Sequence, residues 1–129
     1  MARKPSMKPT NSEHVILRVL WEKGPSTVRQ VHQTFGPDVG YTTVLKMLQI
    51  MHEKGLVARD ESQRPQVYRA IQSEEQTQRQ IVRGLLDRVF GGSAKTLVMQ
   101  ALSSQKASAA DLSEIRQLLD ELEKRKGKP

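Results

Sequence analysis

The sequence predicts a mainly α-helical protein that carries one small β-hairpin. Three observations favour this fold class. Apolar residues recur at helical spacing along most of the chain, several of these segments begin with a serine or threonine in a helix-capping pattern, and two short extended runs flank a polar turn. Helices are predicted on both sides of the hairpin, which suggests an N-terminal domain that includes it and a separate helical region after it.

Composition and charge limit the classes of function. The 129 residues carry 21 Lys and Arg against 14 Asp and Glu, a net charge of +7. The excess lies in the first half, since residues 1–72 hold 11 basic and 6 acidic side chains. Such a surface favours a polyanionic partner such as nucleic acid. The lack of cysteine excludes disulfides and thiolate metal sites, and the lack of a long apolar run predicts a cytoplasmic protein without membrane insertion.

A capping-box pattern marks the start of the first helix. Thr10 precedes Glu13 by three residues, the spacing at which the two side chains satisfy each other's backbone N–H groups. An apolar stripe follows, and the KGP sequence at 23–25 is expected to end the helix. The stripe contains Ile16, Leu17, Leu20 and Trp21. Trp21 is expected to anchor the core.

A second, shorter helix is predicted to begin near Ser26 or Thr27 and to stop at Gly36. Its apolar residues would lie on one face and are Val28, Val31 and Phe35. The short connections on either side make the first three helices neighbours.

The third helix is predicted to run from Tyr41 to Lys54, with Gly55 in the left-handed conformation that often ends a helix. At about 100° per residue, Val44, Leu48 and Met51 share one face and are expected to pack inward. The opposite side is predicted to be polar and to face away from the core. It contains Thr42, Lys46, Gln49 and Glu53, flanked by Thr43 and Ile50.

Two extended runs, residues 56–59 and 66–70, are predicted to form a hairpin whose turn carries Arg64. Three helices followed by a hairpin is the element order of a winged helix-turn-helix domain, with the third helix as reader and the hairpin as wing. This predicts a DNA-binding domain over residues 7–72. Thr42, Thr43, Lys46 and Gln49 would contact bases or adjacent phosphates, and Arg64 would contact the DNA backbone. The alternatives without a DNA contact are that the polar side of the third helix only faces solvent and that Arg64 only increases solubility.

Residues 73–126 are predicted to form three helices that dimerise the chain. The first starts at Ser73, carries a wide apolar stripe and ends at Gly91, and the second covers about 93–103. The last helix is capped by Ser108 and has an a/d seam made of Leu112, Ile115, Leu119 and Leu122. The seam could instead pack within the chain, but its leucine density favours a homodimer.

No catalytic or cofactor pattern is evident. The serines and threonines lack the nucleophile-elbow spacing, and the glycines lack a phosphate-loop pattern. His14, His32 and His52 lie on three separate predicted helices, which does not favour a metal site. The sequence therefore predicts a protein that is not an enzyme and needs no cofactor.

Four segments together resemble the penicillinase-repressor family of bacterial winged-helix regulators. They are EHVILRVLW at 13–21, YTTVLKMLQIMHEKGLV at 41–57, QVYRA at 66–70 and LLDRVFGGS at 85–93. The resemblance implies a homodimer that binds dyad-symmetric, double-stranded DNA operators and represses transcription. It also implies inactivation through a membrane sensor-transducer protease pathway that detects β-lactam. Cleavage in the family falls in the second helix of the C-terminal region, at positions that correspond here to Gln100 and Ala101.

Three features depart from the family pattern. Ile50 stands where members often have a basic residue, and Gln100 and Ala101 stand where the best-known members have the asparagine and phenylalanine of the cleaved bond. The C-terminal cysteines of the copper-responsive branch are absent, which excludes copper sensing through thiolates. The sequence thus predicts a homodimeric repressor that occludes a promoter. The alternative is a winged-helix protein-interaction module without sequence-specific DNA binding.

Overall fold

The computed structural model describes residues 9–127 and confirms the mainly helical fold class. Residues 7 and 8 of the predicted DNA-binding domain lie outside the described range. Within that range there are six helices and one three-stranded antiparallel sheet. The helices are α1 (Asn11–Lys23), α2 (Val28–Phe35), α3 (Tyr41–Lys54), α4 (Glu74–Arg88), α5 (Ala94–Ser104) and α6 (Ala109–Gly127). The strands are β1 (Ser26–Thr27), β2 (Val57–Asp60) and β3 (Val67–Ala70).

Local capping chemistry sets where the first helices begin. The Thr10 hydroxyl accepts from the Glu13 backbone N–H at 3.2 Å, and the Glu13 carboxylate accepts from the Thr10 N–H at 2.9 Å, so the predicted capping box is present. Thr27 and Gln30 make the same reciprocal pair at the start of α2. At the end of α3, Gly55 adopts the left-handed conformation (φ 80°, ψ 19°), as predicted.

The core of the first unit is built by α1, α2, α3 and the sheet. The inward residues of α3, which are Val44, Leu48 and Met51, are fully buried, as predicted. The expectation that Trp21 anchors this core is wrong. Trp21 is half-buried at the edge of the core, where its indole N–H donates to the Gln72 carbonyl at 3.0 Å; so large a side chain with a polar N–H is rarely fully buried. The largest fully buried side chain is instead that of Tyr68 on β3.

The sheet contains one strand more than the predicted hairpin. Its order is β1-β3-β2, and β3 pairs with both neighbours in antiparallel register. Tyr68 lies opposite Ser26 on one side and Arg59 on the other. The prediction assigned Ser26 and Thr27 to the start of the second helix. Two residues carry no strand periodicity, so this strand becomes visible only when β3 is beside it.

Two compact units divide the chain, the first ending at Val82 and the second starting at Arg83. The division lies within α4, whereas the boundary proposed from the sequence, after residue 72, precedes that helix. The start of α4 is capped by Ser73 and that of α6 by Ser108, both as predicted, and the side chains of Gln76 and Asp111 complete the two reciprocal pairs. No residue in the described part of the second unit is fully buried.

Candidate nucleic-acid interface

The outer face of α3 is a row of exposed polar side chains. This arrangement follows from the amphipathic pattern, because the buried residues of α3 fix the rotation of the helix and leave the opposite side in solvent. All four α3 residues predicted to contact DNA lie on this surface and are exposed: Thr42, Thr43, Lys46 and Gln49. The structure therefore brings these four together on one accessible surface.

The N-terminus of α3 has no side-chain cap. Gly40 occupies the N-cap position and offers no side-chain acceptor, and the first turn contains no acidic residue. The other five helices in the described part of the chain begin with a serine or threonine that accepts a backbone N–H. The first N–H groups of α3 are thus left for an external acceptor, and a helix N-terminus favours an anion.

An open groove of about 480 Å³ lies between α2, α3 and the base of the wing. Three exposed polar residues on its rim were not among the predicted contacts: Arg29, Tyr41 and Gln66. Arg29 lies in the first turn of α2, where the helix dipole disfavours a cation. A basic residue inside a capping box, between the N-cap Thr27 and its partner Gln30, is the sequence signal that could have indicated this position.

The wing is held by a hydrogen-bond network at its turn. The Asp60 carboxylate accepts from the Ser62 hydroxyl at 2.6 Å, from the Ser62 backbone N–H at 3.0 Å and from the Gln63 amide at 3.0 Å. The Ser62 hydroxyl, followed by the Gln63 amide, lowers the pKa of Asp60 below its ordinary value. Arg59 is also engaged, since hydrogen bonding to Tyr68 raises the pKa of its guanidinium, with further support from Glu61. These contacts give the turn a defined shape.

Arg64 is exposed in the turn between β2 and β3, as predicted. It does not line the groove beside α3. It borders a smaller one of about 330 Å³, together with Glu61 and Gln63. Its neighbours Pro65 and Gln66 line both grooves, and Tyr68 on β3 lines the one between α2 and α3. Arg64 therefore borders a different groove from the one that Arg29 and Tyr41 line.

Several cations of the first unit take part in no ion pair with any other described residue. The ion pairs among residues 9–127 are Lys54 with Glu13, Arg59 with Glu61 and Arg79 with Glu75. Arg29, Lys46 and Arg64 take part in none of these pairs. Their charges are available to an external polyanion.

The predicted dimer seam lies on α6 and is only partly covered. Leu112 and Ile115 are half-buried, whereas Leu119 and Leu122 are 51% and 44% exposed. Further apolar side chains of the second unit are exposed as well, namely Val89, Val98, Met99, Leu102 and Leu118. Gln100 and Ala101, the positions that the resemblance matches with a cleaved bond, lie within the regular helix α5 and are both exposed.

In the part of the chain that the structure describes, no helix is both long and apolar enough to cross a membrane. No three histidine, aspartate or glutamate side chains there converge as a metal site requires.

The family model described as Penicillinase repressor matches residues 9–121. No curated protein matches the chain. Among solved structures, a MarR family protein from Bacillus stearothermophilus is 21% identical, with 92% of this chain and 76% of that chain covered and a TM-score of 0.49. AbfR of Staphylococcus epidermidis is 21% identical over 90% of this chain and 70% of that one, with a TM-score of 0.45. A structure of reduced AbfR bound to DNA is 21% identical over 88% of this chain and 71% of that one, with a TM-score of 0.43.

Proposed function

Since the chain belongs to the penicillinase repressor family, we propose that it represses transcription as a homodimer bound to a dyad-symmetric DNA operator. The family membership makes the protein a DNA-binding transcriptional regulator rather than an enzyme. The homodimer, the form of the operator and the contacts of individual side chains are the proposal.

The observation that carries the proposal is the combination of an uncapped α3 N-terminus with an exposed polar face on the same helix. Free N–H groups and Thr42 would bind a phosphate where α3 enters the major groove. Lys46 and Gln49 lie one and two turns further on, where a lysine reaches guanine and a glutamine reaches adenine. Thr43 would contact bases or an adjacent phosphate at the first turn. One helix thus supplies both anchoring and base contacts.

The residues around α3 would hold the DNA backbone on either side of the reading helix. Arg64 on the wing is exposed and takes part in none of the ion pairs among the described residues, so its guanidinium can bind a phosphate. Arg29 beside the groove between α2 and α3 would do the same. Such contacts set the register of the protein on the duplex without reading sequence.

Exposed apolar surface on the second unit supports the homodimer. Residues 83–126 leave no side chain fully buried, although α5 and α6 carry apolar residues at helical spacing. A partner helix would remove this surface from water, which would stabilise the dimer by about 25 cal/mol for each Å² of apolar surface buried. The proposed seam is Leu112, Ile115, Leu119 and Leu122. A two-fold dimer would reach equivalent major-groove faces about 10 base pairs apart or a multiple of that, and the bound protein would exclude polymerase.

The test is selection of DNA from a random pool, followed by measurement of affinity against salt. We expect an inverted repeat to be enriched. If Arg29 and Arg64 each bind one phosphate per subunit, the four contacts of a dimer give a log-log slope of about −4. A flat salt dependence without enriched sequence would contradict the proposal and support a protein-interaction module.

A further inference from the structure

One exposed apolar side chain flanks the outer face of α3. Ile50 is 38% exposed, whereas the α3 residues Val44, Leu48 and Met51 are fully buried. A single exposed isoleucine is ordinary on a protein surface. Its position is the informative feature, because it lies next to side chains that the proposed function places in the major groove.

Ile50 is the last member of a stripe on the flank of the reading face. Thr43, Lys46 and Ile50 are spaced i, i+3 and i+7, so they lie above one another on one side of the helix. All three are exposed. The rise from Thr43 to Ile50 is about 10.5 Å, or roughly three base-pair steps of 3.4 Å. Homeodomain recognition helices read bases from side chains at the same spacing.

We propose that Ile50 is a specificity-determining residue that reads the C5-methyl group of a thymine in each half-site. This inference rests on the proposed function. In the major groove, thymine is the base that presents a methyl group, whereas cytosine presents an amino donor there. An isoleucine cannot accept a hydrogen bond, so cytosine at this position would lose solvation without compensation. The side chain therefore favours thymine by attraction and disfavours cytosine by desolvation.

The expected effect of one methyl group follows from its burial. Burying one methyl group away from water increases affinity about fourfold, so the two half-sites of a homodimer should together give about a fifteenfold change in affinity. A lysine at the same position would prefer guanine, because its ammonium can bind the O6 and N7 acceptors.

The experiment uses the full chain and an operator selected from random DNA. Each symmetric pair of thymines is replaced in turn by deoxyuridine, which removes the methyl group and keeps the base pair. Affinity is measured by fluorescence anisotropy for the unmodified protein, for Ile50→Ala, and for Ile71→Ala as a matched control. Ile71 is also an exposed isoleucine, and it follows β3 rather than lying on α3. Circular dichroism checks that both variants are folded.

We expect one thymine pair whose demethylation weakens binding about fifteenfold in the unmodified protein and in Ile71→Ala, and less than twofold in Ile50→Ala. A second selection with Ile50→Lys should enrich guanine at that position. The inference is overturned if no deoxyuridine pair weakens binding, or if Ile50→Ala keeps the full loss. In either case a steep salt slope and an enriched inverted repeat would leave the proposed function standing. Failure to enrich any sequence would overturn both.

Discussion

The ion pair between Glu13 and Lys54 joins the start of α1 to the end of α3, and breaking it should destabilise the first unit. The Lys54 ammonium donates to the Glu13 carboxylate at 2.8 Å, and the side chains are 19% and 7% exposed. At that distance, and at an effective dielectric constant of about 20, the gross attraction is about 6 kcal/mol. Desolvation of both charges offsets much of this value, so the net contribution is smaller.

The two partners should respond differently to substitution. Lys54→Met keeps the aliphatic stem but leaves a buried carboxylate without its cation, and we expect a loss of about 2–3 kcal/mol in the free energy of unfolding. Glu13→Gln keeps the capping contact to Thr10, and Lys54 can turn toward water, so we expect a loss of about 1 kcal/mol. The double variant has no unpaired buried charge and should lose less than the sum of the two single losses.

The assay is urea unfolding followed by the fluorescence of Trp21, the single tryptophan, at one protein concentration. Arg79→Met is the matched control. It breaks the pair with Glu75, which has a similar length of 2.7 Å but side chains 72% and 71% exposed, and should cost less than about 0.5 kcal/mol. Equal losses for Lys54→Met and Arg79→Met would refute the reasoning, since burial would then not determine the strength of the pair.

Three further predictions concern the proposed DNA and dimer contacts and the wing. Lys46→Ala should weaken operator binding by about 1–3 kcal/mol and relax the base preference at one operator position. Arg64→Ala should weaken binding to all DNA sequences alike and reduce the salt slope by about one per subunit. Binding curves on variant operators test both, and the opposite pattern would assign the base contact to Arg64 and the phosphate contact to Lys46. Changing Leu119 and Leu122 together to aspartate should leave a folded monomer that binds a half-site weakly. Sedimentation measures the oligomeric state, and a double variant that is still a dimer would show that the dimer seam lies on another helix. Asp60 should titrate below the ordinary value of about 3.9, because turn donors stabilise its charged form. Its contribution to the turn is then present above that value and lost as pH falls through the lower, folded pKa. Amide NMR shifts of the turn measure this midpoint, and titration at or above 3.9 would contradict it.

Local sequence was sufficient for most of the helical structure. Capping partners lie three residues apart, and an amphipathic stripe repeats within two turns, so both signals are complete within a short window. For this reason the bounds of α3 and the left-handed cap at Gly55 could be predicted, as could the polar face that carries Lys46. The proposed reading face is the unburied side of one helix, and it needs no knowledge of distant residues.

The remaining features depend on residues that meet only in the folded chain. Strand β1 forms because Ser26 pairs with Tyr68, and the indole N–H of Trp21 donates to the carbonyl of Gln72, 51 residues further along the chain. The groove that gathers Arg29, Tyr41 and Gln66 joins three separate elements. Similarly, the partner of Glu13 lies 41 residues away. A periodic pattern records which side of an element is apolar, but pairing across such separations is decided by packing, which local sequence does not encode.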